Sequence, residues 1–361
     1  MFEFIPALFY SSLYYYFLLF IVLVVFLRSN LVPLTDSRSI KTNKTFEVLI
    51  LVFTLVYMGL RPLSWVFGDM GTYAQFFERY QRGESPDFNG DIIFNSFTKL
   101  CSSLMNIQMY FLFCTLLYVL PLWSACRKWF KNYSFYAFLA LITSFSFWSF
   151  GTNGIRNGIA TSLFLYALSR DKMAFKILFV VIAFGFHKSI VIPTVALSLT
   201  YFYNNSKKYF YGWLLCIPLS LVSGGFWEGL FAGLMADERV SYLTDGNVNN
   251  DSFSSTGFRW DFLMYSASAV YAAYFFIFKK KFIDPTYNRL VCVYLAANAF
   301  WILVIRANFS NRFAYLSWFM MGIVIVYPFL TKIQLKKQHQ VLGLVLLAYF
   351  GFTFFMNVVL G

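Results

Sequence analysis

The sequence predicts an all-α, polytopic membrane protein with about twelve transmembrane helices, and three observations carry that expectation. Of 361 residues, 59% are hydrophobic and 12% charged, about half the roughly 25% charged residues of soluble domains. Apolar runs long enough to cross ~30 Å of hydrocarbon recur from one end to the other. The aromatic share is 22%, with 47 Phe, which suits lipid-facing and interfacial positions. No internal repeat, low-complexity tract or soluble segment interrupts the runs, so residues 1–361 are expected to form a single integral membrane domain.

The elements follow from the runs and from the charges between them. The first run, LFYSSLYYYFLLFIVLVVFL at 8–27, has no positive n-region and no small-residue cleavage site. It is expected to be a retained helix rather than a signal peptide. A second run at 48–63 follows a loop with Arg28, Arg38, Lys41 and Lys44. Runs at 107–125 and 134–150 flank Arg127, Lys128 and Lys131. The runs at 155–169 and 177–187 are the shortest, with Arg170, Lys172 and Lys176 between them. Those at 189–204 and 209–223 flank Lys207 and Lys208. Next, 261–278 and 290–305 enclose Lys279, Lys280, Lys281 and Arg289. The last two, 313–331 and 340–358, enclose Lys332, Lys336 and Lys337.

Every second connection is thus basic. These six hold 19 of the 29 Lys and Arg residues with four acids; the remainder of the polar sequence holds ten basic and twelve acidic residues. The positive-inside rule puts the six basic connections in the cytoplasm, with both termini and the other connections outside. A net charge of +13 would suggest nucleic acid in a soluble protein. Here loop anchoring accounts for it, and no nucleic-acid partner is expected. Cys101, Cys114, Cys126, Cys216 and Cys292 show no CxxC spacing and read as small hydrophobes, not a metal site or a disulfide framework.

Two outer loops are substantial, near 64–106 and 224–260. In the first, Tyr73, Phe76, Phe77 and Tyr80 recur at i, i+3, i+4, i+7, with Glu78, Arg79 and Arg82 off the stripe. This predicts an amphipathic helix on the membrane surface, begun by a Thr72/Gln75 capping box. The second contains DGNVNNDSFSSTG at 245–257, a Gly/Asn/Ser-rich stretch expected to be mobile, as a lid or as a plain connector.

Basic residues outside run against the topology bias and are therefore informative. Arg61 ends the second run, Arg156 sits between glycines in GTNGIRNGIA, and Arg259 precedes Asp261 in GFRWDF. Arg306 and Arg312 bracket RANFSNR, and His187 and Lys188 form FHKS at a turn. An ionisable group at the membrane edge needs a partner or a water-filled cavity. For any single arginine the plainer reading is a snorkelling anchor. Arg259 can simply pair with Asp261, Asp69 can be a helix N-cap, and His187 can be a satisfied interfacial histidine. Independent anchors, however, would not favour Arg over Lys. The inner connections use 14 Lys to 5 Arg, the outer sequence 8 Arg to 2 Lys. A guanidinium fork matches phosphate oxygens bidentately and stays charged when partly desolvated, so the outer arginines suit a lipid-linked diphosphate.

No HExxH, GxSxG or Walker A motif is present, and no outer DxD to hold a sugar-nucleotide metal. Nucleotide sugars are cytoplasmic, so an outer site should take lipid-linked donors. The implied chemistry needs no metal or cofactor: arginines neutralise the departing diphosphate while one base deprotonates an acceptor hydroxyl.

At RPLSWVFGDMGTYAQFF, GIRNGIATSLFLYAL, FGFHKSIVIP, GFRWDF and SNRFAYLSWFMMGIVIVYP the chain resembles the EpsG branch of the bacterial Wzy-type polysaccharide polymerases. The pieces occur in the family's order and cover roughly residues 50–330. The resemblance implies a GT-C-like membrane glycosyltransferase in the bacterial cytoplasmic membrane, with its site on the outer face. Such an enzyme transfers a growing glycan from undecaprenyl diphosphate to the non-reducing end of a new lipid-linked repeat unit. Its implied partners are undecaprenyl-diphosphate-linked oligosaccharides, membrane lipids, a chain-length regulator and a flippase.

The family motifs map onto Arg61, Asp69, Tyr73, Arg156, His187, Lys188, Arg259, Asp261, Arg312 and Tyr315. Of these, Arg156, Arg312 and Arg259, with Arg306 and Arg61 after them, are expected to bind diphosphate. His187 or Asp69 is expected as the base, and Asp261, Lys188, Tyr73 and Tyr315 as supporting residues. The chain departs from the family where Asp91-Ile92-Ile93-Phe94 keeps only the ends of an acidic-Pro-Gly-Phe stretch, which leaves Asp91 without a role. It departs again where Arg156-Asn157-Gly158 replaces Arg-Gln-Gly. Three other readings compete. An O-antigen-type ligase uses the same donor but a lipid A core acceptor. A membrane O-acyltransferase would leave glycan length unchanged on deletion. A lipid-linked glycan transporter would carry its charges at mid-membrane.

Overall fold

The computed structural model describes residues 4–87, 90–234, 257–307 and 310–360. These residues form helices joined by short turns, with no strand among them. That is the expected response to a bilayer, where a helix satisfies its own backbone polar groups. Among the described residues, six helical stretches are long and apolar enough to span: Ala7–Leu31, Ile107–Ile142, Ser206–Phe231, Trp260–Lys279, Asn311–Thr331 and Gln338–Val359. Apolar helices over 173–186 and 188–202 are shorter. The chain is a multi-span membrane protein whose described residues form helices and turns.

In chain order the helices are α1 (Ala7–Leu31), α2 (Ser37–Gly59), α3 (Met70–Gln81), α4 (Ile92–Leu104), α5 (Ile107–Phe130), α6 (Ser134–Ile142), α7 (Phe145–Thr152) and α8 (Ile155–Leu168). They continue with α9 (Met173–Phe186), α10 (Val191–Phe202), α11 (Ser206–Leu234), α12 (Trp260–Tyr274), α13 (Pro285–Leu303), α14 (Asn311–Trp318), α15 (Met321–Thr331) and α16 (Gln338–Phe354). Helix starts follow local capping chemistry. Asp36 accepts from the Ser39 amide at 2.7 Å, Asn106 from Met109 at 2.9 Å, and Asp284 from Tyr287 at 2.8 Å with Pro285 in the first turn. Each cap satisfies an amide that the helix cannot.

The chain folds as two compact units, Met1–Ile190 with Phe329–Gly361, and Val191–Pro328. The first unit packs α8 against α5 and α9, α2 against α5, and α1 against α16. At the end of the bundle that holds the α1–α2 turn, Arg28 donates to Asn43 and Asn43 to Tyr136. The Tyr136 hydroxyl meets His339 Nε2 at 2.7 Å, while His339 Nδ1 meets the Val32 carbonyl at 2.6 Å. The second of the two histidines is thereby committed to structure. The second unit centres on α13, packed by α10, α11 and α14. Its fully buried Asn298 accepts from Trp213 at 2.7 Å and donates to Ser266 and Ser317 at 3.2 and 2.9 Å. Interhelical hydrogen bonds of this kind tie apolar helices together where lipid offers no alternative partner.

Three local expectations are corrected. The outer loop expected at 64–106 carries a second helix, α4, besides the amphipathic one. The buried face of α4 is Phe94, Thr98, Cys101 and Ser102, and small polar residues at those positions hide the helical period from a hydrophobicity reading. Helix α3 begins at Met70 with Asp69 in the N-cap position, so Thr72 lies inside the first turn and the Thr72/Gln75 box does not form. The Tyr73 stripe is real, but its partner is protein: Tyr73 meets Phe94 and Phe77 meets Tyr110, at centroid distances of 5.5 and 5.1 Å. The stretch 245–257 lies, apart from Gly257, outside the described residues.

Candidate functional site

Helices α4, α8 and α9 of the first unit bring one carboxylate and three basic residues together. The carboxylate is Asp91, only 4% exposed, at the N-cap position of α4. An aspartate there would ordinarily serve the first amides of its own helix, but this one makes no such bond. Its Oδ2 instead accepts from Arg156 Nη1 at 2.8 Å. Its Oδ1 lies 3.2 Å from His187 Nδ1 and 3.2 Å from the Lys188 backbone amide. Burial alone would push the Asp91 carboxyl up. The hydrogen bond with His187, the charges of His187 and Arg156 and the Lys188 amide outweigh it and hold the group below its usual range.

Each partner is placed by its own chain segment. Arg156 lies in the first turn of α8, the end of a helix that disfavours a cation, and Asp91 offsets that cost. Beside it, Asn157 Oδ1 accepts from Ser189 at 2.6 Å, which ties α8 to the turn carrying His187 and Lys188. A Cβ on Gly158 would fall 2.5 Å from the Phe150 carbonyl oxygen, so only glycine allows α7 to lie this close to α8. The Arg156-Asn157-Gly158 triplet therefore spends each residue on a different neighbour. Similarly, a Cβ on Gly185 would fall 2.4 Å from Ile93, and its absence lets α9 approach the start of α4. His187 caps the end of α9 and is 7% exposed. The Arg156 guanidinium lies 5.9 Å from the Tyr73 ring centre. Burial raises the Tyr73 phenol, with Arg156 pulling the other way.

An ionised carboxylate only accepts, so the His187 Nδ1 facing Asp91 carries the hydrogen, and in the neutral tautomer this leaves the lone pair on Nε2. That is the state of a neutral imidazole able to take a proton. A binder of anions with a base beside it is what this arrangement can be chemically.

Other expected site residues are placed differently. Asp69 is exposed, and its side chain caps nothing; its backbone amide donates to Asn153 Oδ1 at 2.9 Å. Arg61 is fully buried. It donates to the Met58 and Thr152 carbonyls at 2.6 and 3.3 Å, with its guanidinium 5.6 and 5.3 Å from the Phe67 and Phe111 ring centres. Its fork is spent on the interior, holding the end of α7. In the second unit, Arg259 clamps Asp261 bidentately at 2.9 and 2.6 Å and stacks 3.7 Å from the Phe262 ring centre. Arg306 donates to the Leu221 carbonyl at 3.1 Å. Arg312 is half-buried in the first turn of α14, and Tyr315 is buried, accepting from Asn311 at 3.3 Å.

Over residues 44–360 the chain matches the EpsG family. The chain belongs to the EpsG family. EpsG proteins are of the Wzy-like polysaccharide polymerase type, and membership supports a place in polysaccharide biosynthesis. Neither a curated protein nor a solved structure matches it. Asp91 is the residue that sequence reasoning left without a role. Its signal was faint: the two surviving ends of the EpsG acidic stretch, and an Arg and a His that both needed a carboxylate.

Proposed function

We propose that the protein is a membrane glycosyltransferase that polymerises undecaprenyl-diphosphate-linked repeat units at the outer face of the cytoplasmic membrane. In this reading the chain crosses the membrane about twelve times in a GT-C-like arrangement, with its basic connections in the cytoplasm. Membership of the EpsG family supports the reaction class. The observation that carries the site is Asp91 joined at once to Arg156 and His187.

The acceptor is the hydroxyl at the non-reducing end of a new repeat unit. Its oxygen attacks the anomeric carbon of the growing glycan, and the bond from that carbon to the diphosphate oxygen breaks. The proton passes to His187 Nε2, while Asp91 holds the Nδ1–H side and stabilises the imidazolium that forms. Arg156 and Lys188 meet the charge that grows on the departing undecaprenyl diphosphate, a role in which a guanidinium fork matches phosphate oxygens. Tyr73 supports the Arg156 guanidinium. We assign the base to His187 over Asp69 because His187 has an orienting carboxylate and Asp69 has none. Arg259, held by Asp261, and Arg312, supported by Tyr315, are assigned to the phosphates of a lipid-linked substrate. Arg61 and Arg306 are left out of that group, since their forks bind backbone carbonyls.

The test is Arg156→Lys, Arg312→Lys and His187→Asn in cells lacking the native copy. Each protein should insert normally, with long polymer lost and single lipid-linked repeat units accumulating. Polymer of wild-type length from all three would overturn the assignment. Long polymer on undecaprenyl diphosphate, formed with no lipid A present, separates the reading from a ligase.

A further inference from the structure

Helix α11 of the second unit carries a carboxylate that the reaction above does not use. The helix is broken at Ser223, where φ −134° and ψ 34° leave the helical region. Beyond the break, Gly224, Trp227, Glu228 and Phe231 recur at i, i+3, i+4, i+7 and are buried or half-buried. Gly225, Phe226, Gly229 and Leu230, on the other face, are exposed. Glu228 therefore points into the protein from a lipid-facing helix. An ionisable group in that position needs a partner or a function.

Glu228 has a neighbour but not a full set of partners. The Arg306 charge acts on it, and a Cβ on Gly224 would sit 3.3 Å from Arg306 Cδ, so the arginine lies along this stripe. Arg306 nonetheless turns Nη2 to the Leu221 carbonyl beside the break. Glu228 Oε1 and Arg306 Nε are both buried and have no hydrogen-bond partner. Buried polar atoms in that condition are rare and costly. One is an acceptor and the other a donor. Aromatic rings share the stripe with Glu228: Trp227 stacks on Phe231 at 6.3 Å, and Phe231 meets Phe300 of α13 at 4.6 Å. The Trp227 indole N–H is anchored to Ser223 Oγ at 3.1 Å, which fixes the ring at the break.

An acceptor and a donor set beside aromatic faces match a sugar ring, which offers hydroxyls at its edge and apolar C–H bonds on its face. We propose that Glu228 and Arg306, at the Ser223 break, form a saccharide-binding subsite, with Trp227 and Phe231 supplying the apolar platform. The subsite takes a pyranose of the lipid-linked glycan and contacts no phosphate. The identity of the ligand as glycan rests on the function proposed above.

The experiment titrates purified full-length protein with the free oligosaccharide released by mild acid from the cell's own lipid-linked repeat units. Because this probe lacks the diphosphate, it reads the sugar subsite alone. Wild type should bind it, and Lys41→Ala, a change at an exposed position of α2, should bind it equally. Glu228→Gln, which keeps the shape and loses the charge, should bind about tenfold more weakly, and Glu228→Ala should show no binding. Arg306→Lys should also weaken it. Should the alanine variant fail to elute as a single species, the isosteric glutamine variant decides. Wild-type affinity in Glu228→Gln, or no binding by wild type, overturns the proposal. Glu228-dependent binding in a protein that forms no polymer would leave the subsite standing and remove the polymerase reading. Polymer formation with Glu228-independent binding would do the reverse.

Discussion

Asp91→Ala is the perturbation that reaches most of the site at once. The substitution removes the acceptor for Arg156 at 2.8 Å and for His187 Nδ1 and the Lys188 amide at 3.2 Å each. Deleting one partner of a buried ion pair costs about 3–5 kcal/mol. The Arg156 side chain keeps 27% exposure, so water relieves part of the charge left behind and the loss should fall near the lower end, about 3 kcal/mol. Asp91→Asn preserves the volume and one acceptor oxygen but turns a donor toward Arg156 or His187, for a loss of about 2 kcal/mol. Both variants also lose the group that fixes the His187 tautomer, and general-base catalysis contributes about 100-fold or more to rate. Thermal unfolding of the detergent-purified protein reads the first effect, and the polymer ladder from membranes reads the second. An Asp91→Ala protein that unfolds at the wild-type temperature, or makes wild-type polymer, refutes the reasoning.

The same carboxylate sets a pH dependence. Its pKa is depressed in the folded protein, so its stabilisation is present above the unfolded value of about 3.9 and lost as pH falls through the folded one. The stability gap between wild type and Asp91→Asn should stay level from about pH 8 to about pH 5 and close only below about pH 4; a gap that closes near neutrality contradicts the depressed value. Arg61→Lys cannot span the Met58 and Thr152 carbonyls, and should lower stability by about 1–3 kcal/mol while leaving inhibition by inorganic pyrophosphate unchanged. Normal stability with lost pyrophosphate inhibition would return Arg61 to the diphosphate group. Gly158→Ala drives a Cβ against the Phe150 carbonyl and should cost about 1–3 kcal/mol in thermal unfolding; a neutral result would mean α7 can shift freely.

Much of this was legible because it is local. Apolar runs and basic connections announced a polytopic helical membrane protein, and Arg156, His187 and Lys188 stood out as polar residues in apolar surroundings. The Tyr73, Phe77, Tyr80 stripe gave α3 its period. What the stripe could not reveal was its partner, because lipid and a neighbouring helix select the same apolar face. Asp91 stayed hidden for a related reason. Its contacts to Arg156 and His187 span 65 and 96 positions, and packing of α4, α8 and α9 makes them. An acid before an apolar run looks like an ordinary helix cap. Arg61 misled in the opposite sense, since an arginine at the end of a run reads as exposed, while two phenyl rings and two carbonyls hold it inside.

The most direct measurement uses purified protein and a synthetic undecaprenyl-diphosphate-linked repeat unit, with products resolved by length. A ladder of glycans still attached to undecaprenyl diphosphate is expected, with one undecaprenyl diphosphate released per unit joined and no ladder from Arg156→Lys. Failure of the wild-type protein to lengthen the glycan, or an undiminished ladder from Arg156→Lys, would contradict this expectation.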